Sequence, residues 1–382
     1  MRLCSAWRPC AFNLCQSRVL SATPVFCVWL LSGCASIPAG DRDQQAAQTL
    51  SGATVVIERI PLTSAPFHGN VQIAEGFAWA TRSSALGLHK TIRVDTKTYE
   101  PSELTRPFTA GHADLLVGAG SIWHSDGMTG VTGNGDLQRV DIATGQVIAT
   151  IPAAGSPFAI DDGAVWAYNP RTRVLSAIGI QDNLVRRQIP TQGAVGTETF
   201  DYAAGSIWQF AHQEGVSVLE LSRGAIPDAV VRRIDPQTQG IVSAIPIGPF
   251  RPTDRIRFVA GAIWLLGERD DGASPFAIRI NVDSNTVSAT IPLVRSMEHA
   301  CARHAYPKTP VSFAGGIWVS TFCTDRGRMP GVLLKIDPAS SQVTDELRLS
   351  VLEGHLGGQP ALAAGEAELW GFDGRTAIRF GF

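Results

Sequence analysis

Nine tryptophans occur in the chain, and the seven beyond residue 34 all sit in one recurring phrase. A turn ending in Gly or a small residue is followed within a few positions by Trp, inside a short apolar run. The copies are Gly76-Phe77-Ala78-Trp79, Gly120-Ser121-Ile122-Trp123, Gly163-Ala164-Val165-Trp166, Gly205-Ser206-Ile207-Trp208, Gly261-Ala262-Ile263-Trp264, Gly316-Ile317-Trp318 and Gly365-Glu366-Ala367-Glu368-Leu369-Trp370. Successive tryptophans stand 44, 43, 42, 56, 54 and 52 residues apart. Self-similarity at about 40 to 50 residues, in strand-like sequence rich in turns, predicts an all-β, seven-bladed propeller with four antiparallel strands per blade. A Trp on each second strand would fill the wedge between blades, a packing role rather than a stacking platform for ligands.

The unit is clearest in blade three. Phe158 to Ile160, Ala164 to Tyr168, Val174 to Ile178 and Leu184 to Ile189 read as its four strands, and a proline stops the last. The turn between third and fourth strands repeats as well, in Arg139-Val140-Asp141-Ile142-Ala143-Thr144-Gly145, Arg233-Ile234-Asp235-Pro236-Gln237-Thr238, Lys335-Ile336-Asp337-Pro338-Ala339-Ser340 and Arg93-Val94-Asp95-Thr96-Lys97-Thr98. Its Asp can accept from backbone N–H groups two residues on, which makes it a hairpin fastener. After Trp370 there is room for one more strand, Ala377 to Phe382, so the last blade lacks its outer strand. The run Ala53 to Pro61 matches the fourth-strand pattern and has no blade of its own. It is expected to complete blade seven and close the ring. With no exposed edge left, the chain is expected to be a monomer.

Thirty-eight glycines and 23 prolines suit such a turn-rich chain. A net charge of −2 provides no basic field for nucleic acid. Residues 1–33 read as a processing segment, with Arg2, Arg8 and Arg18 ahead of an apolar stretch, Val19 to Leu31, too short to span a bilayer as a mature helix. Leu31-Ser32-Gly33-Cys34 resembles the lipobox of bacterial lipoproteins, which implies acylation of Cys34, a lipid anchor in the membrane and, with Ala35 next, the periplasmic face of the outer membrane. The alternative is an ordinary secretory signal cut elsewhere. Residues 34–52 are small and polar and read as a tether, leaving 53–382 for the propeller. In the folded domain only Cys301 and Cys323 remain, and an oxidising compartment favours their pairing as a disulfide. A metal site or a reactive thiol is the rival reading.

Three blades are lengthened, near Glu214 to Asp228, through Phe250 to Arg255, and from Val294 to Lys308. Five histidines, His68, His112, His299, His304 and His355, fall where one blade's fourth strand leads to the next blade. Arg251, Asp254, Arg255 and Arg303 join them on that face. His89 and His212 are placed between second and third strands, and His124 on a second strand. His68, His112, Arg251, Asp254, His299, His304 and His355 are the candidates for ligand binding. Imidazoles brought together could hold a transition metal or act as a base near neutral pH. The plain alternative is that long loops collect polar residues.

The Gly-Ser-Ile-Trp and Arg-Val-Asp-x-x-Thr-Gly-x-Val-x-Ala-Thr-Ile-Pro phrases resemble the seven-bladed propellers of the YVTN and streptogramin (virginiamycin B) lyase-like group, over residues 53 to 382. In the lyase branch a His base opens a cyclic lactone by elimination, and carboxylates hold Mg²⁺. Its repeats read Trp-Phe-Thr-Glu. Here the third residue after each Trp is Arg82, Asp126, Asn169, Ala211, Gly267, Thr321 or Asp373, never Glu, so no catalytic residue carries over. The first expectation is an envelope-anchored, non-catalytic propeller that needs no cofactor and binds a protein or small ligand on its long-loop face. The second is a lyase or a lactone or ester hydrolase with a His base and a divalent cation. The third is an envelope assembly scaffold.

Overall fold

Burial along the strands shows how the blades lie against one another. Every residue of Ser121–Ser125 and of Ser206–His212 is buried, whereas Val147–Ile151 and Ile241–Pro249 are largely exposed. A second strand is covered on both faces by neighbouring sheets, so even its polar residues, Ser121, His124, Ser125, Ser206, Gln209 and His212, are buried. The outer strand is the one that faces water most. The computed structural model describes residues 46–50, 53–62, 71–83, 89–108, 115–125, 135–161, 163–191, 199–212, 226–268, 275–293, 305–323, 331–349, 361–373 and 376–382. These form seven antiparallel sheets, with strands laid side by side in chain order within blades one to six. The first strands touch one another in a closed circle, the seventh blade's meeting the first blade's.

Five of the hairpins joining first to second strands are two-residue turns with both central residues at positive φ. An example is Ala204 at 49° and Gly205 at 68°. This is the conformation that matches strand twist in tight hairpins, and it explains Gly76, Gly120, Gly205, Gly261 and Gly315 ahead of five of the tryptophans. A Cβ on Gly205 would meet nothing within 4 Å, so glycine is required there for its dihedral and not for space.

The tryptophans are core residues. Trp79, Trp123, Trp208, Trp264, Trp318 and Trp370 are at most 1% exposed. Four of them also staple that hairpin. The indole N–H donates to the carbonyl of the first strand's last residue in Trp79 to Ala74, Trp208 to Ala203, Trp264 to Val259 and Trp318 to Phe313, at 2.9 to 3.3 Å.

Opposite six of the seven tryptophans a basic residue stands on the third strand, and in four of these blades it opens the Arg/Lys-x-Asp phrase. The guanidinium lies over the indole, at 5.0 Å for Arg139 on Trp123 and 5.3 Å for Arg233 on Trp208. Its far end donates to a carbonyl in the next blade's turn. Arg93 reaches Ile142, Arg139 reaches Ile180, Arg233 reaches Val282 and Arg279 reaches Pro338. The Asp holds that turn in shape. Asp141 accepts from the Ala143 and Thr144 amides, and Asp235 and Asp337 do the same in their blades. One short phrase therefore builds a turn and latches the preceding blade onto it. Blade three has Ala177 where the Arg should be; Arg187, paired with it on the fourth strand, reaches the Pro236 carbonyl instead. Tyr202 of blade four stacks on Trp166 at 5.7 Å.

The ring closes as the sequence predicts. Ala53–Pro61 pairs antiparallel with Thr376–Gly381, from Val56 opposite Gly381 to Pro61 opposite Thr376. Arg379 clasps Glu58 across this pair at 2.9 Å and also bonds Glu368, which accepts from the Tyr99 hydroxyl of blade one. The stretch expected as tether up to residue 52 differs in one respect. Ala46–Leu50 forms a strand against residues 53–57 and adds a fifth member to the last blade. The free edge of Ala53–Pro61 offers a row of unpaired backbone groups, and the preceding residues fold back to satisfy it.

Candidate functional site

Blade five departs from the pattern at its inner edge. The long approach is anchored first by Phe250, fully buried between Phe210 and Phe276. Arg251–Pro252 pairs with Glu268 and Gly267, and a Cβ on Gly267 would sit 2.3 Å from the Arg251 carbonyl, so the two backbones meet only because that residue is glycine. The Thr253 hydroxyl donates to the Pro307 carbonyl of blade six at 2.7 Å, and Lys308 donates back to the Thr253 carbonyl at 2.6 Å. The strand then breaks and resumes at Arg257–Val259, paired with residues 262–264. Ile256 is buried in the packing between blades four and five. Alternation along an extended chain turns its neighbours, Arg255 and Arg257, the other way.

That other way is the axis of the ring. A cavity of about 420 Å³ is lined by residues 71–73, 115–116, 157–158, 257–260, 310–312 and 362–364, together with Arg255. Among the described residues its wall is thus drawn from the first strands of six blades, and its charged side chains are Arg255 and Arg257. Burial, and then the neighbouring Arg257 charge, pull the Arg255 guanidinium down to about 9. The Nε of Arg257 is buried and has no acceptor.

Asp201, on the first strand of blade four, is the nearby counter-charge. Burial pushes its carboxyl up, against the pull of Arg257 and of two backbone donors. Those donors are the Phe258 amide at 2.6 Å and the Tyr202 amide at 2.9 Å. Asp201 therefore fastens blade four to the interrupted strand of blade five. Gln72 does similar work elsewhere in the wall: its side-chain amide both donates to and accepts from the Val117 backbone at 2.8 Å, joining blade one to blade two.

The candidates read from the sequence are distributed as follows. Arg251 and Asp254 lie on the approach, partly buried, and the wall does not include them; Asp254 accepts from the Arg255 amide at 2.8 Å. His68, His112, His299, His304, His355, Arg303, Cys34 and Cys301 lie outside the described residues. Cys323 ends the strand Gly316–Cys323. His89 opens a third strand and His212 closes a second, where the sequence placed both in loops. Ala305 to Lys308, expected as part of an insertion, begins the inner strand of blade six, whose register breaks between Lys308 and Val311. Among the described residues no group of three or more His, Cys, Asp or Glu side chains is placed to hold a metal. Arg257 and Asp201 were missed by sequence reasoning. An Arg-x-Arg on an inner strand, where other blades carry apolar residues, was the available signal.

No protein-family model matches the sequence, and no curated protein does. Solved structures do match. Hydrazine synthase from Kuenenia stuttgartiensis aligns over 83% of this chain and 96% of its own, at TM-score 0.60 and 12% identity. The β-propeller domain of Cps50 (Swd1) from Myceliophteria thermophila aligns over 84% and 98%, at 0.54 and 12%. The WD40 domain of Toxoplasma gondii coronin aligns over 85% and 86%, at 0.53 and 8%. At such identities the likeness carries the fold alone, and with the seven sheets above it establishes an all-β, seven-bladed propeller.

Proposed function

We propose that the protein is a binding propeller of the cell envelope, tethered through a lipid on Cys34, that takes a small ligand in its central channel. The observation that carries this reading is the cavity itself, of about 420 Å³, walled by the first strands of six blades with apolar side chains beside Gln72, Ser312 and two arginines. Ligand sites are typically concave, mostly apolar and furnished with a few fixed polar groups. The YVTN-like phrases and the lipobox at Cys34 support an exported setting, in which the Cys301–Cys323 pair would be oxidised.

A plug tests the channel. Ser312 lies on the inner strand of blade six and lines the cavity. Ser312→Trp should fill it and abolish thermal stabilisation by ligands found in a small-molecule screen of the wild-type protein. Hits that ignore the plug, or a screen without hits, would count against a channel site. For the tether, Cys34→Ala should move the protein from the membrane to the soluble fraction; continued membrane attachment refutes the lipid anchor.

A further inference from the structure

Given the membrane tether proposed above, on which this step rests, we infer that the added strand Ala46–Leu50 holds the long-loop face of the ring towards the lipid bilayer and the opposite face away from it. Seven blades of four strands are complete without Ala46–Leu50, so the repeat does not require it. Within a blade the first and third strands run towards the tight turns, and the second and fourth run back to the face where one blade leads to the next. That second face is the long-loop face. Ala53–Pro61 is the fourth strand of blade seven. It starts at the tight-turn end, where Val56 pairs with Gly381, and finishes at the long-loop end, where Pro61 pairs with Thr376. A chain entering the ring at Ala53 would come from the tight-turn side.

Ala46–Leu50 reverses that direction. It pairs antiparallel with Ala53–Pro61, Leu50 opposite Ala53 and Ala46 opposite Ile57, so the chain upstream of Ala46 is aimed at the long-loop face. Backbone pairing over five residues fixes the aim, and the strand also touches Gln342–Leu349, the outer strand of blade six. Residues 34–45, twelve in all, span at most about 40 Å when fully extended. An anchor on Cys34 therefore keeps the ring close to the bilayer. From Ile57 to Pro61 the blade continues for four residues, about 13 Å of strand, so most of that reach is left once the long-loop end is passed. To bring the tight turns to the bilayer the chain would first have to double back along the blade, which restricts its conformations further.

Energy transfer on vesicles tests this without the natural anchor. The chain from residue 34 onward, carrying an N-terminal polyhistidine tag, is bound to phosphatidylcholine vesicles that contain a nickel-chelating lipid and an acceptor-labelled lipid. An azide-bearing amino acid replacing Thr172 or Gln181 takes the donor dye. Both positions are exposed and both belong to blade three, Thr172 before Val174–Gly179 on the long-loop face and Gln181 after it among the tight turns. That strand is about 20 Å long, so transfer from position 172 should be at least about twofold higher than from position 181. Deleting residues 46–50 should erase or reverse the order. So should Ala47→Pro with Thr49→Pro, which unpairs the strand at unchanged tether length and serves if the deletion does not fold. Equal transfer from the two positions, or an order unchanged in either folded variant, overturns the assignment. So does higher transfer from position 181, the placement that lays the exposed Ile148 and Val242, next to tight turns, beside lipid. The tag stands in for the lipid, so the two readings fail separately. Membrane attachment that survives Cys34→Ala sinks the anchor while the dyes still report the aim of the strand. A wrong order of the dyes sinks that aim and leaves the anchor standing.

Discussion

Arg139 shows what holds one blade to the next. Its guanidinium is pinned over Trp123 at 5.0 Å, bonded to the Ser121 hydroxyl at 2.9 Å, and extended to the Ile180 carbonyl and the Asn183 side chain of the following blade. Arg139→Ala should lower stability by about 3 kcal/mol, the worth of losing charged hydrogen bonds and a cation–π contact. Arg139→Lys should fall between the two in a denaturant melt. The Asp beside it was legible in the sequence, because a turn Asp acts within three residues of itself. The latch was not, because its partners lie more than 40 residues away in the next repeat.

His124 shows the reverse, a residue whose importance lies in staying neutral. It is 3% exposed, and burial lowers its pKa from the ordinary 6.5 to about 4. Between those values the unfolded chain binds a proton that the folded chain refuses. Stability must therefore decline as pH falls from about 6.5 to about 4, by about 3 kcal/mol in all, and level off below. Melting temperatures across that range should show the decline, and His124→Gln should flatten it. A second loss belongs to Asp95, Asp141, Asp235 and Asp337, whose carboxyls are held below 3.8 by turn amides and Ser or Thr hydroxyls. Their support is present above about 3.8 and disappears as pH drops through the lowered values.

At the scale of the element, period-two and apolar-run patterns located the strands well wherever both neighbours were blades of the same kind. They failed at the interrupted inner strand of blade five and at Ala305 to Lys308, where pairing depends on a close approach at Gly267 and on bonds from Thr253 to blade six. No local pattern announces such contacts. The two N-terminal strands are unequal in consequence. Ala53–Pro61 contributes buried Val55, Ile57 and Ile60, and Glu58 to the clasp. Ala46–Leu50 is only an added edge. Deleting residues 53–61 should therefore collapse the melting transition or prevent folding, while deleting residues 46–50 should shift it by a few degrees; calorimetry on the two truncations compares them directly.

For the whole molecule, the tryptophan ruler counted the blades correctly because each Trp reports a local hairpin and a local wedge. It could not locate the cavity wall. That wall is assembled from residues 71 to 364, a few from each of six blades, and proximity of that kind arises only when the ring closes.

Closure itself imposes an order of events. Glu58 and Arg379, joined at 2.9 Å, are 321 residues apart in the chain. A ribosome releases the first of these strands long before it makes the second, so six blades can assemble one upon another while the seventh waits, half built, for the chain to be finished. Every copy must pass through an open arc before it becomes a circle, with the edge of Ala53–Pro61 and the inner faces of two end blades bare in the meantime. Contacts of such long sequence separation form late and slowly. The final seam is thus the step at which synthesis, crowding and temperature decide between a closed ring and a tangle of arcs.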